Sequence, residues 1–209
     1  MRKVFRDRHE AGERLAEELA ATQWQNPLVL AMPRGGVPVA APVARRLGAP
    51  LDVVVARKIP VPGSPEVAVG ATTYEGPPIF NRAALDRLGL TEDGLADAVA
   101  VEQGEARRRV ELYRGGAPEP DVRGRDVIVV DDGLATGMSA RAALGHVREN
   151  GAASLVLAVP VRAPDADPTD LCDRVVAIEV PAGFRAVGEW YTDFTQVGDH
   201  EVRRLLTSG

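Results

Sequence analysis

The feature that most narrows the possible folds is a series of short, uninterrupted apolar runs separated by helical stretches. LVLAM (28–32), LDVVVARKI (51–59), RDVIVVDD (125–132), ASLVLAVPV (153–161) and RVVAIEV (174–180) are rich in β-branched residues and do not alternate with polar ones. A strand that is apolar at every position is covered on both faces, as in a parallel sheet flanked by helices. The intervening segments supply those helices. RHEAGERLAEELAAT (8–22) sets Ala11, Leu15, Leu19 and Ala20 on one side of a charged helix. VPVAAPVARRLG (37–48) is a helix of small residues stopped by Gly48, and MSARAALGHVREN (138–150) is another that ends at Gly151. The expected class is α/β: a doubly wound, mainly parallel sheet with helices on both faces. VAVGATT (67–73) reads as an additional strand, PVPGSPE (60–66) as irregular, and 81–113 as charged helix broken near Gly89.

A chain of 209 residues suits one domain over 1–209, with a core at about 28–180, a helical flap at 81–118 and a C-terminal hood at 180–202. The formal net charge of −5 argues against a nucleic-acid partner but not against a small anion held by local donors. The single cysteine, Cys172, cannot form an internal disulfide, and Asp170 and Asp173 beside it disfavour a thiolate. A buried structural thiol in a reducing, cytoplasmic setting is expected. His9, His146 and His200 lack metal-ligand spacing, and no apolar run is long enough to span a bilayer.

In doubly wound folds ligands lie beyond the carboxyl ends of the strands. Arg34-Gly35-Gly36, Arg57-Lys58 and Asp131-Asp132 all fall at such ends. After the aspartates come Gly133, Leu134, Ala135, Thr136, Gly137, Met138 and Ser139, and then a helix. A loop of this composition at a helix N-terminus offers free N–H groups and a favourable dipole to an anion, with hydroxyls from Thr136 and Ser139. Met138 stands where a Walker loop needs lysine, and G-x-G-x-x-G is missing. Adjacent carboxylates accept hydrogen bonds from a vicinal diol, each contributing roughly 1.5–3 kcal/mol. An Asp-Gly turn near a helix start is the plainer reading of the same residues.

The string VIVVDDGLATGMSA (127–140) closely resembles the phosphoribosyl-pyrophosphate (PRPP) motif of type I phosphoribosyltransferases. PRGGV, ARKIP and PGSPEVAVGA are similar to a bacterial group of that family with unassigned substrates, and the resemblance covers 28–74 and 125–195. It implies transfer of a 5-phosphoribosyl group from PRPP to a purine or pyrimidine base with release of pyrophosphate, Mg²⁺ as cofactor, and a homodimer. Asp131 and Asp132 would take the ribose hydroxyls and reach the metal indirectly, while Gly133 to Ser139 wrap the 5′-phosphate. Arg34, Gly35 and Gly36 would form the pyrophosphate loop, with a turned peptide, and Arg57 and Lys58 would also contact pyrophosphate. Residues 59–70 would be a lid whose Glu66 exchanges a proton with the base or is a solvated loop carboxylate.

The hood resembles the closing segment of hypoxanthine-guanine-type enzymes, which makes Phe184 the first and Trp190 the second candidate to stack on a base, against ordinary packing. Ala135 stands where oxopurine enzymes carry an acid, and Arg162 is the residue available near the position of their base-reading lysine. The same fold also serves non-catalytic PRPP-binding regulators, and the retained Arg34, Arg57 and Lys58 favour an enzyme.

Overall fold

The computed structural model describes residues 3–207. In chain order the elements are α1 (Arg8–Ala20), β1 (Leu28–Ala31), α2 (Gly36–Leu47), β2 (Leu51–Val53), β3 (Ala56–Val61), β4 (Ser64–Thr73) and β5 (Ile79–Phe80). There follow α3 (Arg82–Leu88), α4 (Ala96–Arg114), β6 (Asp126–Val130), α5 (Met138–Glu149), β7 (Ser154–Val161), β8 (Arg174–Glu179) and α6 (Asp199–Thr207).

Five strands form a parallel sheet in the order β2-β1-β6-β7-β8. Its continuous apolarity has the expected cause. Ile128 and Val130 point into one buried cluster with Leu15, Val29, Val39 and Val43, while Val127 and Val129 point into another with Leu30, Leu144, Leu155 and Cys172. The central strands therefore feed two cores, one under α1 and α2 and one under α5. Cys172 is buried, and burial pushes its thiol pKa up, as an inert packing residue requires.

Three expectations are corrected. The run 51–59 is two strands, not one: β2 lies in the main sheet, and β3 pairs antiparallel with β4 in a separate three-stranded sheet, β3-β4-β5. The chain leaves the first sheet at Val54-Val55, both buried, so hydropathy gives no sign of the break. Second, 60–66 is not irregular: Pro62-Gly63 turns a hairpin, with Gly63 at φ 78° and the register shifting around Pro60. The proposed lid is thus a β-arm. Third, the C-terminal α6 was not expected. Ala20 is half-buried while Ala16 is buried, a small rotation of the α1 face.

The arm is fastened to the core by polar contacts. The Tyr74 hydroxyl donates to Glu119, Arg114 pairs with Asp52 at 3.1 Å and Glu119 at 3.3 Å, and Gln103 and Arg107 of α4 donate to Thr72 and to the Tyr74 carbonyl. Among the described residues no helix is long and apolar enough to cross a membrane.

α1 and α2 approach closely because Gly12 has no side chain; a Cβ there would lie 2.4 Å from the Val39 carbonyl oxygen and 2.6 Å from Pro42 Cγ. Gly12→Val gains a few tenths of a kcal/mol in helix propensity but overpacks this contact by roughly 1–3 kcal/mol. Chemical denaturation should show a lower midpoint for the variant, and an unchanged midpoint would contradict the close packing.

Candidate active site

The sheet order places the crossover point between β1 and β6. The chain moves outward from β1 to β2 on one side and from β6 to β7 on the other, so the loops after β1 and β6 lead to opposite faces of the sheet, the position at which such folds bind ligands. Both loops lead into helices, α2 and α5, whose N-termini therefore converge there. Neither helix has a side-chain cap or an acidic residue in its first turn. The first N–H groups of α5 are thus left for an external acceptor, and Gly137, at φ 76°, takes the left-handed conformation that starts it. Among the described residues, the Thr136 and Ser139 hydroxyls engage no protein partner.

The two loops touch. Met32 N–H donates to the Val130 carbonyl at 2.8 Å, and Gly36 N–H closes back on the Met32 carbonyl at 3.0 Å. The Pro33–Arg34 peptide is cis. A Cβ at Gly35 would sit 2.0 Å from Asp132 Oδ2, and one at Gly36 would sit 2.6 Å from the Val130 carbonyl oxygen. These glycines are required by close approach, since their φ values are ordinary. Gly133 is confined likewise: a Cβ there would lie 2.4 Å from Val187 Cγ1. Leu134 is pinned to β7 and its exit, its N–H donating to the Val161 carbonyl at 2.9 Å and its carbonyl accepting from Ala163 at 2.8 Å.

Asp131 and Asp132 sit at the end of β6, with Asp131 Oδ1 accepting the Asp132 N–H at 2.8 Å. Burial pushes the Asp131 carboxyl well above its ordinary range, and the neighbouring Asp132 charge pushes it further. Burial also raises Asp132, against the pull of Arg8, whose Nε donates to Asp132 Oδ2 at 2.7 Å. Tyr191 donates its hydroxyl to the Asp132 carbonyl at 2.7 Å, which ties the hood to the same loop.

Of the residues that sequence reasoning sets together, the structure groups Gly35, Gly36 and Asp131 to Ser139. The remaining candidates lie elsewhere. Arg57 is on β3 and pairs with Glu102 of α4 at 2.9 Å; Lys58 beside it is exposed and has no ion-pair partner among the described residues. Glu66 is exposed on β4. Arg34 reaches Asp199 of α6 at 3.7 Å. Arg162 donates to the carbonyls of Ala163, Pro164 and Ala166, so its guanidinium holds the turn after β7. Trp190 packs with Phe5, Ala11, Val161 and Tyr191, while Phe184 is half-buried between this cluster and the α5 core.

Arg8, Tyr191 and Phe194 were missed. One signal for Arg8 was available: Asp7 caps α1 by accepting the Glu10 N–H at 2.8 Å, which sets Arg8 in the first turn, where the helix dipole disfavours a cation. A cation placed against that gradient has another partner. Tyr191 and Phe194 carried no comparable mark.

The chain belongs to the phosphoribosyl transferase family: residues 6–186 match the phosphoribosyl transferase domain. It is 44% identical over 207 residues to Mycobacterium tuberculosis proteins from two strains, each named "Putative phosphoribosyl transferase". That match takes in 98% of this chain and 46% of theirs, so the chain spans about half the length of these curated relatives. Among solved structures it is similar to TT1426 from Thermus thermophilus, at 44% identity, 98% coverage of both chains and a TM-score of 0.81. A purine phosphoribosyltransferase from Pyrococcus horikoshii, 17% identical with a TM-score of 0.50 over 95% of this chain and 99% of its own, shares the fold.

A carboxyl whose pKa rises on folding binds more protons in the native than in the unfolded chain, so its contribution to stability falls as pH rises. For Asp131 that loss sets in above about pH 4, where an unfolded aspartate ionises. Asp131→Asn keeps the acceptor for the Asp132 N–H and removes the desolvated charge. Thermal unfolding at pH 7 should show it more stable than the parent by about 0.5–2 kcal/mol, with the gain shrinking as pH falls toward 4. A destabilised variant at pH 7 would contradict the assignment of Asp131 as an uncompensated buried charge.

Proposed function

We propose that this domain transfers the 5-phosphoribosyl group of PRPP to a nitrogen of a purine or pyrimidine base and releases pyrophosphate. The observation that carries the reading is the meeting of two helix N-termini that lack side-chain caps with a half-buried pair of adjacent carboxylates. One end of the ligand is a phosphate, which the loop Gly133–Ser139 suits. The middle is a diol, which Asp131 and Asp132 suit. The other end is a pyrophosphate, next to Arg34 and the Gly35-Gly36 turn.

In the proposed reaction the base nitrogen approaches the anomeric carbon as the bond from that carbon to the pyrophosphate oxygen breaks, through a state with oxocarbenium character. Anchoring the 5′-phosphate on the α5 amides fixes the non-reacting end, where binding energy can set geometry. Asp131 and Asp132 hold the 2′ and 3′ hydroxyls, so the anomeric carbon faces the Pro33–Gly36 turn. The amides and Arg34 of that turn stabilise the negative charge that develops on the departing oxygens. Arg57 and Lys58, on the β-arm, would add positive charge when the arm closes and Arg57 exchanges Glu102 for pyrophosphate. Glu66 on the same arm is a candidate proton carrier for the base, and Phe184 is the better stacking candidate, since Trp190 is enclosed by its own cluster.

Among the described residues no group of three or more His, Cys, Asp or Glu side chains is gathered as a metal cage. Two carboxylates, one of them engaged by Arg8, fit Mg²⁺ that arrives with the pyrophosphorylated sugar and is reached through ribose oxygens or water. When bound, Mg²⁺ would neutralise charge on the pyrophosphate.

Asp132→Asn should weaken Mg-PRPP binding roughly 10- to 100-fold in calorimetry, the loss of a charge-assisted hydrogen bond, with the fold retained. Unchanged affinity would remove the residue from the site. A screen of free bases with Mg-PRPP, following pyrophosphate, should find turnover with at least one base; tight binding without any release would mark a PRPP-binding regulator instead. On the active base, Arg57→Ala should slow pyrophosphate release about tenfold or more at little cost in unfolding midpoint. Turnover equal to that of the parent would exclude it.

A further inference from the structure

No step above uses Arg8, yet it is the cation at the junction of the acidic pair and the pyrophosphate turn. Its Nε lies 2.7 Å from Asp132 Oδ2 and would lie 3.3 Å from a Cβ on Gly35. Its Nη1 donates to the Thr195 carbonyl at 2.9 Å, and its guanidinium carbon lies 3.8 Å from the centre of the Phe194 ring. The side chain is only 11% exposed. These contacts use two of the five N–H donors of a guanidinium, so three remain for a further acceptor. Arg34 and Arg57, also proposed to contact pyrophosphate, are paired with carboxylates on other elements, Arg34 with Asp199 and Arg57 with Glu102.

We propose that Arg8 is a pyrophosphate-binding residue that exchanges partners when the sugar arrives. This rests on the transferase reading above. Without ligand, Asp132 and Arg8 neutralise each other. A ribose diol that takes the Asp132 carboxylate leaves a cation with little solvent around it, which is unfavourable unless a new anion replaces the lost one. The pyrophosphate is that anion, and the Gly35 turn, where it would lie, is already beside the guanidinium. A planar fork with spare donors suits its oxygens. The Thr195 carbonyl and the Phe194 face hold the guanidinium in place during the exchange. The consequence is selectivity: a sugar phosphate that lacks pyrophosphate must break the Arg8–Asp132 pair without compensation, whereas the pyrophosphorylated sugar replaces both halves of it.

The test is calorimetric binding of three ligands, Mg-PRPP, Mg-pyrophosphate and ribose 5-phosphate, to the full chain and to Arg8→Met and Arg8→Lys, with thermal unfolding alongside. Arg8→Met should bind Mg-PRPP and Mg-pyrophosphate about tenfold or more weakly, while ribose 5-phosphate binds as well as before or better. Arg8→Lys should recover part of the loss, and if the methionine variant does not fold, the lysine variant should show the same split between ligands in smaller degree. An equal loss for all three ligands, or no loss for Mg-pyrophosphate, would overturn the proposal. If the parent itself binds none of the three, the transferase reading falls, and this inference with it.

Discussion

Two adjacent, half-buried aspartates at the end of a buried strand set the terms for everything around them. Their charges repel each other and are short of solvent, and one is paired with an arginine while the other is not. Such a pair persists only where the surrounding chain holds it. Here the holding is done by close approach from three sides. The glycines of the turn after β1 let backbone press against Asp132 and Val130, Gly133 admits Val187 of the hood, and the Tyr191 hydroxyl closes on the Asp132 carbonyl. This crowding lies where the chain leaves the paired strands β1 and β6 for opposite faces of the sheet, α2 over one core and α5 over the other.

The same arrangement divides labour between stability and binding. Ile128, Val130 and Val29 on one face and Val127, Val129 and Leu155 on the other bury the centre of the sheet, so the β6 register has no freedom to slip and the aspartates are presented at a fixed height. Against this rigid base the pieces that would meet a ligand's charged end are held by exchangeable ion pairs: Arg8 with Asp132, Arg34 with Asp199, Arg57 with Glu102. A polyanion can compete for such pairs. A core contact could not be traded in that way.

How much of this could be read from the chain depended on which physical signal each residue carries. The parallel sheet was visible because continuous apolarity in short runs arises in few ways besides burial on both faces. The aspartates were visible because charges do not belong at the end of such a run. The division of 51–59 between two sheets was hidden, since Val54 and Val55 are as buried between the strands as Val53 is within one. The hairpin at Pro62-Gly63 was hidden by residues that also populate irregular loops. The Arg8–Asp132 contact joins residues 124 apart in sequence, and no local pattern encodes it beyond a cation in the wrong turn of a helix. Phe184 and Trp190 look alike in the sequence, yet only the tertiary structure shows Trp190 walled in by Phe5, Ala11 and Val161.

Family membership and a shared fold accommodate many acceptors, so the weight falls on the site itself. A crystal structure of the complex with Mg-PRPP tests it most directly. The expected result is the 5′-phosphate on the first-turn amides of α5, the ribose diol against Asp131 and Asp132, and Arg8 released from Asp132 onto pyrophosphate. Density for the ligand at another surface, with Arg8 still seated on Asp132, would contradict it.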